Sequence, residues 1–190
     1  MISRKTDGKL SLLNQKIQAC TKCTLCELEF NKKDVSQGYG KLYGWGSSQC
    51  KFLLIGMNPS HSRFPGHEYA FGGKEGSPGA GQKFNILLKE VGIFNEIFVD
   101  NIVKCSTESN SIDENQVRQC FEYLQEEIEI LKPIKIITMG RQVFDILKLL
   151  LHEHNIQIPI RNLWHPSYVF SYQRESPDKY KEMIKQVCQN

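Results

Sequence analysis

Apolar and polar positions along this chain fall into blocks, and the period changes from block to block. Four short runs are apolar and rich in branched residues: KFLLIG at 51–56, IFVDNIVKC at 97–105, IKIITMG at 134–140 and IQIPI at 156–160. Runs of this length bounded by turn-forming residues read as buried strands. Between them the apolar residues recur at helical spacing. QKFNILLKEV at 82–91 is closed by Gly92, and 113–131 opens on Asp113 and stops before Pro133. RQVFDILKLLL fills 141–151, and a last helix at 177–188 starts on Pro177. One more helix is expected within residues 1–30, leading into a cysteine cluster. Strands alternating with helices predict an α/β three-layer sandwich around a central four-stranded parallel sheet. We expect a single domain over 1–190, with 15–30 as a cysteine-bearing N-terminal segment.

In such a sheet the site lies in the loops that follow the carboxyl ends of the strands. Three stretches occupy those places. GMNPS at 56–60 follows the first strand. Its glycine allows a sharp turn and leaves backbone amides free to point into a crevice, and Asn58 could hold a water without ionising. The plain alternative is an ordinary turn. Asn101 sits in an otherwise apolar strand, where its amide must find partners; it either caps a loop or reads a ligand edge that donates and accepts side by side. His165 in LWHPSY, expected as a loop over 163–168, could present a ring N–H beside a rigid proline, or be a structural histidine. The connection at 57–81 is too long for an idle loop. Its glycine-rich part, KEGSPGAGQKF, lacks the GK[ST] ending of a phosphate loop, which excludes that class of nucleotidase.

Composition narrows the picture. A length of 190 residues with 40% hydrophobic content suits one core, and a net charge of +3 permits a polyanionic partner without demanding one. No apolar run is long enough for a membrane span, and MISRKTDGKLSLL has no signal-peptide core, so a reducing, cytoplasmic or nuclear setting is expected rather than secretion. Seven cysteines in that setting point to metal before disulfides. Cys20 and Cys23 form C-x2-C, and Cys105 and Cys120 are a second, more distant pair; four thiolates suit an iron–sulfur cluster or tetrahedral zinc. Cys26 is a competing ligand, while Cys50 and Cys188 look unrelated.

Taken together, CTKC, YGKLYGWGSSQCKFLLIGMNPS, FGG, GAGQKFNILLKEVGI, NIVKC, Cys120, ILKPIKIITMG and HPSY, in that order across about 20–170, resemble the uracil-DNA glycosylase superfamily. The likeness is greatest to its iron–sulfur branch, family four. It differs in carrying GMNPS where that branch has patterns such as GEAPG. An asparagine there resembles the mismatch-specific and single-strand-selective branches. The stretch after NIVKC, usually proline-rich, is STESNSIDEN here.

The resemblance implies a monofunctional enzyme that hydrolyses the N-glycosidic bond of uracil flipped out of DNA, leaving an abasic site. It implies that Phe71 stacks on the base, Asn101 bonds its pairing edge, Gly56 and Met57 line the pocket, and His165 and Asn58 serve catalysis. Cys20, Cys23, Cys105 and Cys120 would ligate a [4Fe-4S] cluster. Ser60, Ser167, Tyr168 and Arg174 are expected at DNA, with Val169 and Phe170 as further candidates for a side chain that wedges into the vacated stack. Lys22, Lys83, Lys104 and Arg118 are candidate phosphate contacts. The expected partner is uracil-containing DNA, with the protein a monomer and no membrane involved. The competing readings are a glycosylase for thymine or hypoxanthine, a non-catalytic binder of uracil-containing or single-stranded DNA, and a zinc protein with a degenerate site.

Overall fold

The computed structural model describes residues 8–32, 40–59, 69–76, 79–107 and 111–189. The elements, in chain order, are α1 (Gly8–Gln18), a 3₁₀ turn (Thr24–Glu27), α2 (Glu29–Lys32), β1 (Trp45–Gly46), β2 (Phe52–Gly56), a 3₁₀ turn (Ala70–Gly72), α3 (Ala80–Val91), β3 (Ile97–Asn101), α4 (Glu114–Leu131), β4 (Lys135–Met139), α5 (Arg141–Glu153), β5 (Ile160–Leu163), α6 (Pro166–Phe170) and α7 (Pro177–Gln189). Among the described residues, no helix is long and apolar enough to cross a membrane.

The sheet order is β1-β3-β2-β4-β5, and β3, β2, β4 and β5 are parallel, as the alternating pattern predicts. Every residue of β2, β3 and β4 is buried, because helices cover both faces. Leu53, Ile55, Phe98 and Ile136 pack toward α1, α4 and α5. Phe52, Leu54, Ile97, Val99, Ile137 and Met139 pack toward α3, α6 and α7. Adjacent residues on a strand thus serve opposite cores, which is what the period of two requires.

Among the described residues the sheet is mixed and has five strands rather than four. The extra strand, β1, lies within the stretch 31–50 that reads as loop, and it pairs antiparallel with β3. Two residues are too few to show a period. Gly46 is needed there: its φ is +137°, and a Cβ would lie 2.3 Å from the carbonyl oxygen of Ile97.

The last parallel strand also starts later than the 156–160 run suggests. Pro159 has no N–H, so it enters the sheet only through its carbonyl, which accepts from the amide of Ile136; register pairing begins at Ile160. HPSY is not loop but the start of α6. Pro166 stands at the first turn and His165 caps it, its side chain accepting from the amide of Ser167.

Candidate active-site cleft and cysteine recess

Gly56 and Asn101 end their strands as register partners, so their positions on the sheet edge are set by the ladder itself. A Cβ built on Gly56 would stand 2.5 Å from Oδ1 of Asn101 and 2.7 Å from Cζ of Phe71. Only glycine leaves room for a carboxamide and an aromatic ring to close over the strand end. The ring of His165 lies with its centroid 5.9 Å from that of Phe71, tilted by 43°. Gly140 directly follows β4, and a Cβ built on it would meet the Cβ of His165 at 3.8 Å. Three strand ends therefore converge on one cleft, with glycine as its floor.

Phe71 is held in place by its backbone. Its φ of 52° and ψ of 24° lie in the left-handed region, which is strained for a bulky residue by about 1–3 kcal/mol. Several bonds fix the turn. The amide of Ala70 donates to Tyr43 O at 2.9 Å, and Nε1 of Trp45 donates to Ala70 O at 2.7 Å. Nδ2 of buried Asn85 donates to Gly73 O at 2.8 Å and to Lys74 O at 3.2 Å.

Asn101 is 2% exposed, and its Oδ1 has no hydrogen-bond partner among the described residues. An unpaired buried acceptor costs about 1–3 kcal/mol, so this atom, aimed at the cleft floor, is primed for a donor from a ligand. The asparagine is fixed from behind. Its amide donates to Oδ1 of Asp100 at 2.7 Å, and its carbonyl accepts from Nζ of Lys104 at 2.9 Å.

Nδ1 of His165 accepts from the Ser167 amide at 3.2 Å. That bond requires a lone pair on Nδ1, so the ring proton sits on Nε2 and the imidazole is neutral. Neighbouring protein desolvates the ring and holds its pKa below the ordinary histidine value, although the residue itself is exposed. The cleft thus offers a ring face, a carboxamide and a neutral N–H donor.

The other expected residues divide. Met57 flanks the floor, its carbonyl accepting from Val103 N at 2.9 Å. Asn58 is half-buried two residues beyond the floor, and its Nδ2 donates to Pro59 O at 3.0 Å. Ser60 lies outside the described residues. Ser167 is half-buried beside His165, while Tyr168 and Arg174 are exposed nearby. Tyr168 leans on Trp164, with ring centroids 5.7 Å apart.

Val169 is 2% exposed in the core under α6, and Phe170 packs edge-on to Tyr180, so neither is free to enter a base stack. Tyr172, 71% exposed, is the open aromatic of that stretch that sequence reasoning passed over. Among the phosphate candidates, Lys104 is buried under the sheet and Arg118 is paired with Glu114 and Glu153. Lys22 pairs with Glu122. Lys83 is exposed on α3.

On the opposite side of the sheet, Cys20, Cys23, Cys26, Cys105 and Cys120 line one recess between the N-terminal segment and α4, together with Lys22, Lys41, Lys104 and Tyr123. Among the described residues, no three His, Cys, Asp or Glu side chains stand in a ready-made metal-coordinating arrangement. The donor set nevertheless fits a soft, thiolate-bound group: the recess is sulfur-rich and its lining includes no carboxylate. Burial pushes the Cys120 thiol up to about 12 and raises Cys105 further, so a metal there must displace protons.

A strip at 40–46 ties these parts together. Lys41 Nζ donates to the carbonyls of Gln18 and Cys20, the amide of Leu42 donates to Lys104 O, and Tyr43 and Trp45 hold the Phe71 turn.

Fold and cleft define an α/β protein whose site, at the carboxyl edge of its sheet, is walled by a ring, an amide and an imidazole. Residues 43–188 match the family model of the uracil DNA glycosylase superfamily, and the chain belongs to that superfamily.

A type-4 uracil-DNA glycosylase of Saccharolobus solfataricus is 31% identical over 135 residues, covering 70% of this chain and 56% of that protein. One from Thermotoga maritima is 30% identical over 121 residues, covering 63% and 57%. The chain thus spans a little over half the length of the curated relatives it matches. The crystal structure of wild-type Pedobacter heparinus SMUG2 superposes with a TM-score of 0.52 at 12% identity, covering 74% of this chain and 75% of that one, a likeness of fold.

Proposed function

We propose that this chain is a monofunctional uracil-DNA glycosylase, hydrolysing the N-glycosidic bond of uracil extruded from DNA and leaving an abasic site. The observation that carries the reading is the junction at Gly56, where the Phe71 ring and the Oδ1 of Asn101, without a hydrogen-bond partner among the described residues, meet over a floor too shallow for any side chain.

Extrusion costs a few kcal/mol, and stacking on Phe71 returns about 1–3 kcal/mol of it. The Asn101 carboxamide reads the pairing edge. Uracil places an N–H beside a carbonyl there, which complements an amide whose Oδ1 faces the N–H; cytosine, with a bare ring nitrogen beside an amine, requires the same amide turned by 180°. Bond cleavage leaves a cationic sugar and an anionic base. The neutral Nε2–H of His165 donates to the oxygen on which the negative charge grows, and pre-aimed donors of this kind are often the largest catalytic contribution. Asn58 holds the attacking water and its carbonyl dipole favours the sugar cation. It has no carboxylate to take a proton, so turnover is about 10-fold or more below that of an aspartate-bearing relative. Water is the nucleophile, so no strand-cleaving step follows.

Tyr168 and Arg174, exposed beside α6, meet the DNA. Cys20, Cys23, Cys105 and Cys120 would hold a [4Fe-4S] cluster, tying the N-terminal segment to Cys105 after β3 and to Cys120 on α4.

The test is incubation of the purified protein with U-containing and T·G-containing oligonucleotides, followed by alkaline cleavage at abasic sites. Abasic sites at uracil, with free uracil beyond one equivalent, are the expected result. Release of no base refutes the enzyme, and release of thymine in preference to uracil refutes the substrate. Full uracil release by Asn58→Ala removes the role given to that residue.

A further inference from the structure

The amide of Ile102 donates to Gly56 O, so at this level of β3 it is residue 102 whose N–H faces β2. Backbone polar groups alternate sides along a strand, and those of Asn101 face the β1 side. There the ladder stops short: β1 pairs Trp45 with Val99 and Gly46 with Phe98, and reaches no further along β3. In place of a neighbouring strand, Asn101 meets an ion pair. Its amide donates to Oδ1 of Asp100 at 2.7 Å, and its carbonyl accepts from Nζ of Lys104 at 2.9 Å. Oδ2 of the same carboxylate accepts from that ammonium at 2.6 Å, which closes a ring of bonds around one residue.

The ring is anchored away from the cleft. The amide of Lys104 donates to Sγ of Cys120 at 3.3 Å, and its carbonyl accepts from the Leu42 amide at 2.9 Å. Gly44 leaves the carboxylate its place: a Cβ there would stand 2.8 Å from Oδ2 of Asp100. Both charged side chains are fully buried. Taking two charges out of water is costly, and well-packed apolar residues of similar volume are often as stable, so stability alone does not call for an ion pair here. What apolar residues could not do is bond both polar groups of the Asn101 backbone.

We infer that Asp100 and Lys104 are positioning residues for base recognition. Together they set where the Asn101 backbone ends its strand, and so hold its carboxamide against the Gly56 floor. This rests on the uracil-reading role given to Asn101 above. Neither residue touches the base; both act through Asn101.

The experiment compares wild type, the neutral double variant Asp100→Asn/Lys104→Met, Asn101→Ala and the triple variant. Far-UV circular dichroism checks the fold. Should the double variant fail to fold, Lys104→Arg replaces it, because a planar guanidinium cannot repeat the bonds of a compact ammonium, and the same outcomes apply. Release of uracil from a U-containing oligonucleotide is followed in single turnover, with enzyme in excess over a range of concentrations. This separates the maximal rate from the half-saturating concentration. The double variant should lose about 10- to 100-fold in maximal rate, with half-saturation within about 2-fold of wild type. A mere shortage of folded molecules does the reverse: it raises the half-saturating concentration and leaves the maximal rate. Added to Asn101→Ala, the same changes should slow the reaction by less than about 2-fold, because the residue they act through is gone.

An unchanged maximal rate overturns the inference, as does a loss confined to half-saturation, or a full further loss on top of Asn101→Ala. Wild type that releases no uracil overturns the functional reading and this inference with it. If Asn101→Ala releases uracil as fast as wild type, the role of Asn101 and the inference fall, and the enzyme assignment stands.

Discussion

The ammonium of Lys104 lies 2.6 Å from Oδ2 of Asp100, and neither side chain reaches solvent. Asp100 and Asn101 are neighbours on β3 and so face opposite sides of the sheet. The ion pair is buried beneath α4, while the carboxamide looks into the cleft. The pair reaches both sites: Lys104 donates to the carbonyl of Asn101, and its own amide donates to Sγ of Cys120 at 3.3 Å. Removing the cation leaves a buried charge uncompensated. Lys104→Met should cost about 3–5 kcal/mol in denaturant unfolding, and Asp100→Asn added to it should recover much of that loss. A single variant costing under about 1 kcal/mol would show that the pair does not hold this region.

Glu127 completes the buried group from α4, with Oε2 3.9 Å from Nζ of Lys104 and no hydrogen-bond partner for that atom among the described residues. Burial, with Asp100 beside it, pushes its carboxyl well above the ordinary range despite Lys104. In the unfolded chain the group ionises near pH 4.5. Above that value folding must keep or restore the proton, so stability declines as pH rises toward the folded-state pKa. Glu127→Gln removes this penalty. Its stability relative to wild type should grow from about pH 4.5 upward and then level off, as read in a pH series of thermal unfolding; a gain that shrinks with pH refutes the assignment.

Gly56→Ala places a methyl where the Asn101 carboxamide and the Phe71 ring now stand. One of the two must move by more than a few tenths of an ångström, and displacements near 1 Å can cost about 10²-fold in rate. Uracil excision should fall by at least that much, and the product uracil should lose its protection of the cleft in thermal-shift titration. An alanine variant with wild-type kinetics would place the base elsewhere.

For His165 the sign follows from its lowered pKa. The unfolded chain takes up a proton below about pH 6.5, whereas the folded ring resists it. Stability is therefore highest above that pH and declines as pH falls through the window down to the folded-state pKa. His165→Asn should abolish this slope. Excision by the wild type should stay level through pH 6.5, because the Nε2–H donor remains neutral, and the variant should lose about 10²–10³ in single-turnover rate. A wild-type rate that halves at pH 6.5 contradicts the neutral-donor role.

Much of this was legible in the residues, for identifiable reasons. β2 shows itself because both its faces are buried, and α4 because Asp113 and Gln116 form a reciprocal cap at its start. β5 hid because it is an edge strand carrying exposed Arg161 and half-buried Asn162, two polar residues that break the apolar run. Five-residue α6 is too short to display a period, though the His-Pro pair at its start is a readable signal. Gly56, Asn101 and His165 stood out because each ends or follows a strand, whereas Phe71, in a 3₁₀ turn well beyond β2, was reached only through the family resemblance. Lys104 did not: a lysine is normally solvated, and its burial depends on Glu127, far along the chain, as much as on Asp100 four residues away.

The strip at 40–46 works as a splint. It grips the N-terminal cysteine turn at one end and the aromatic turn at the other, and it contributes β1 to the sheet border on the way. Shedding residues 8–32 in evolution or by engineering would therefore strip the anchor from Lys41 and loosen the wall of the cleft on the far side. A descendant can replace its cysteine side chains and keep this splint, whose anchors are the backbone carbonyls of Gln18 and Cys20, but it cannot drop the segment without rebuilding it.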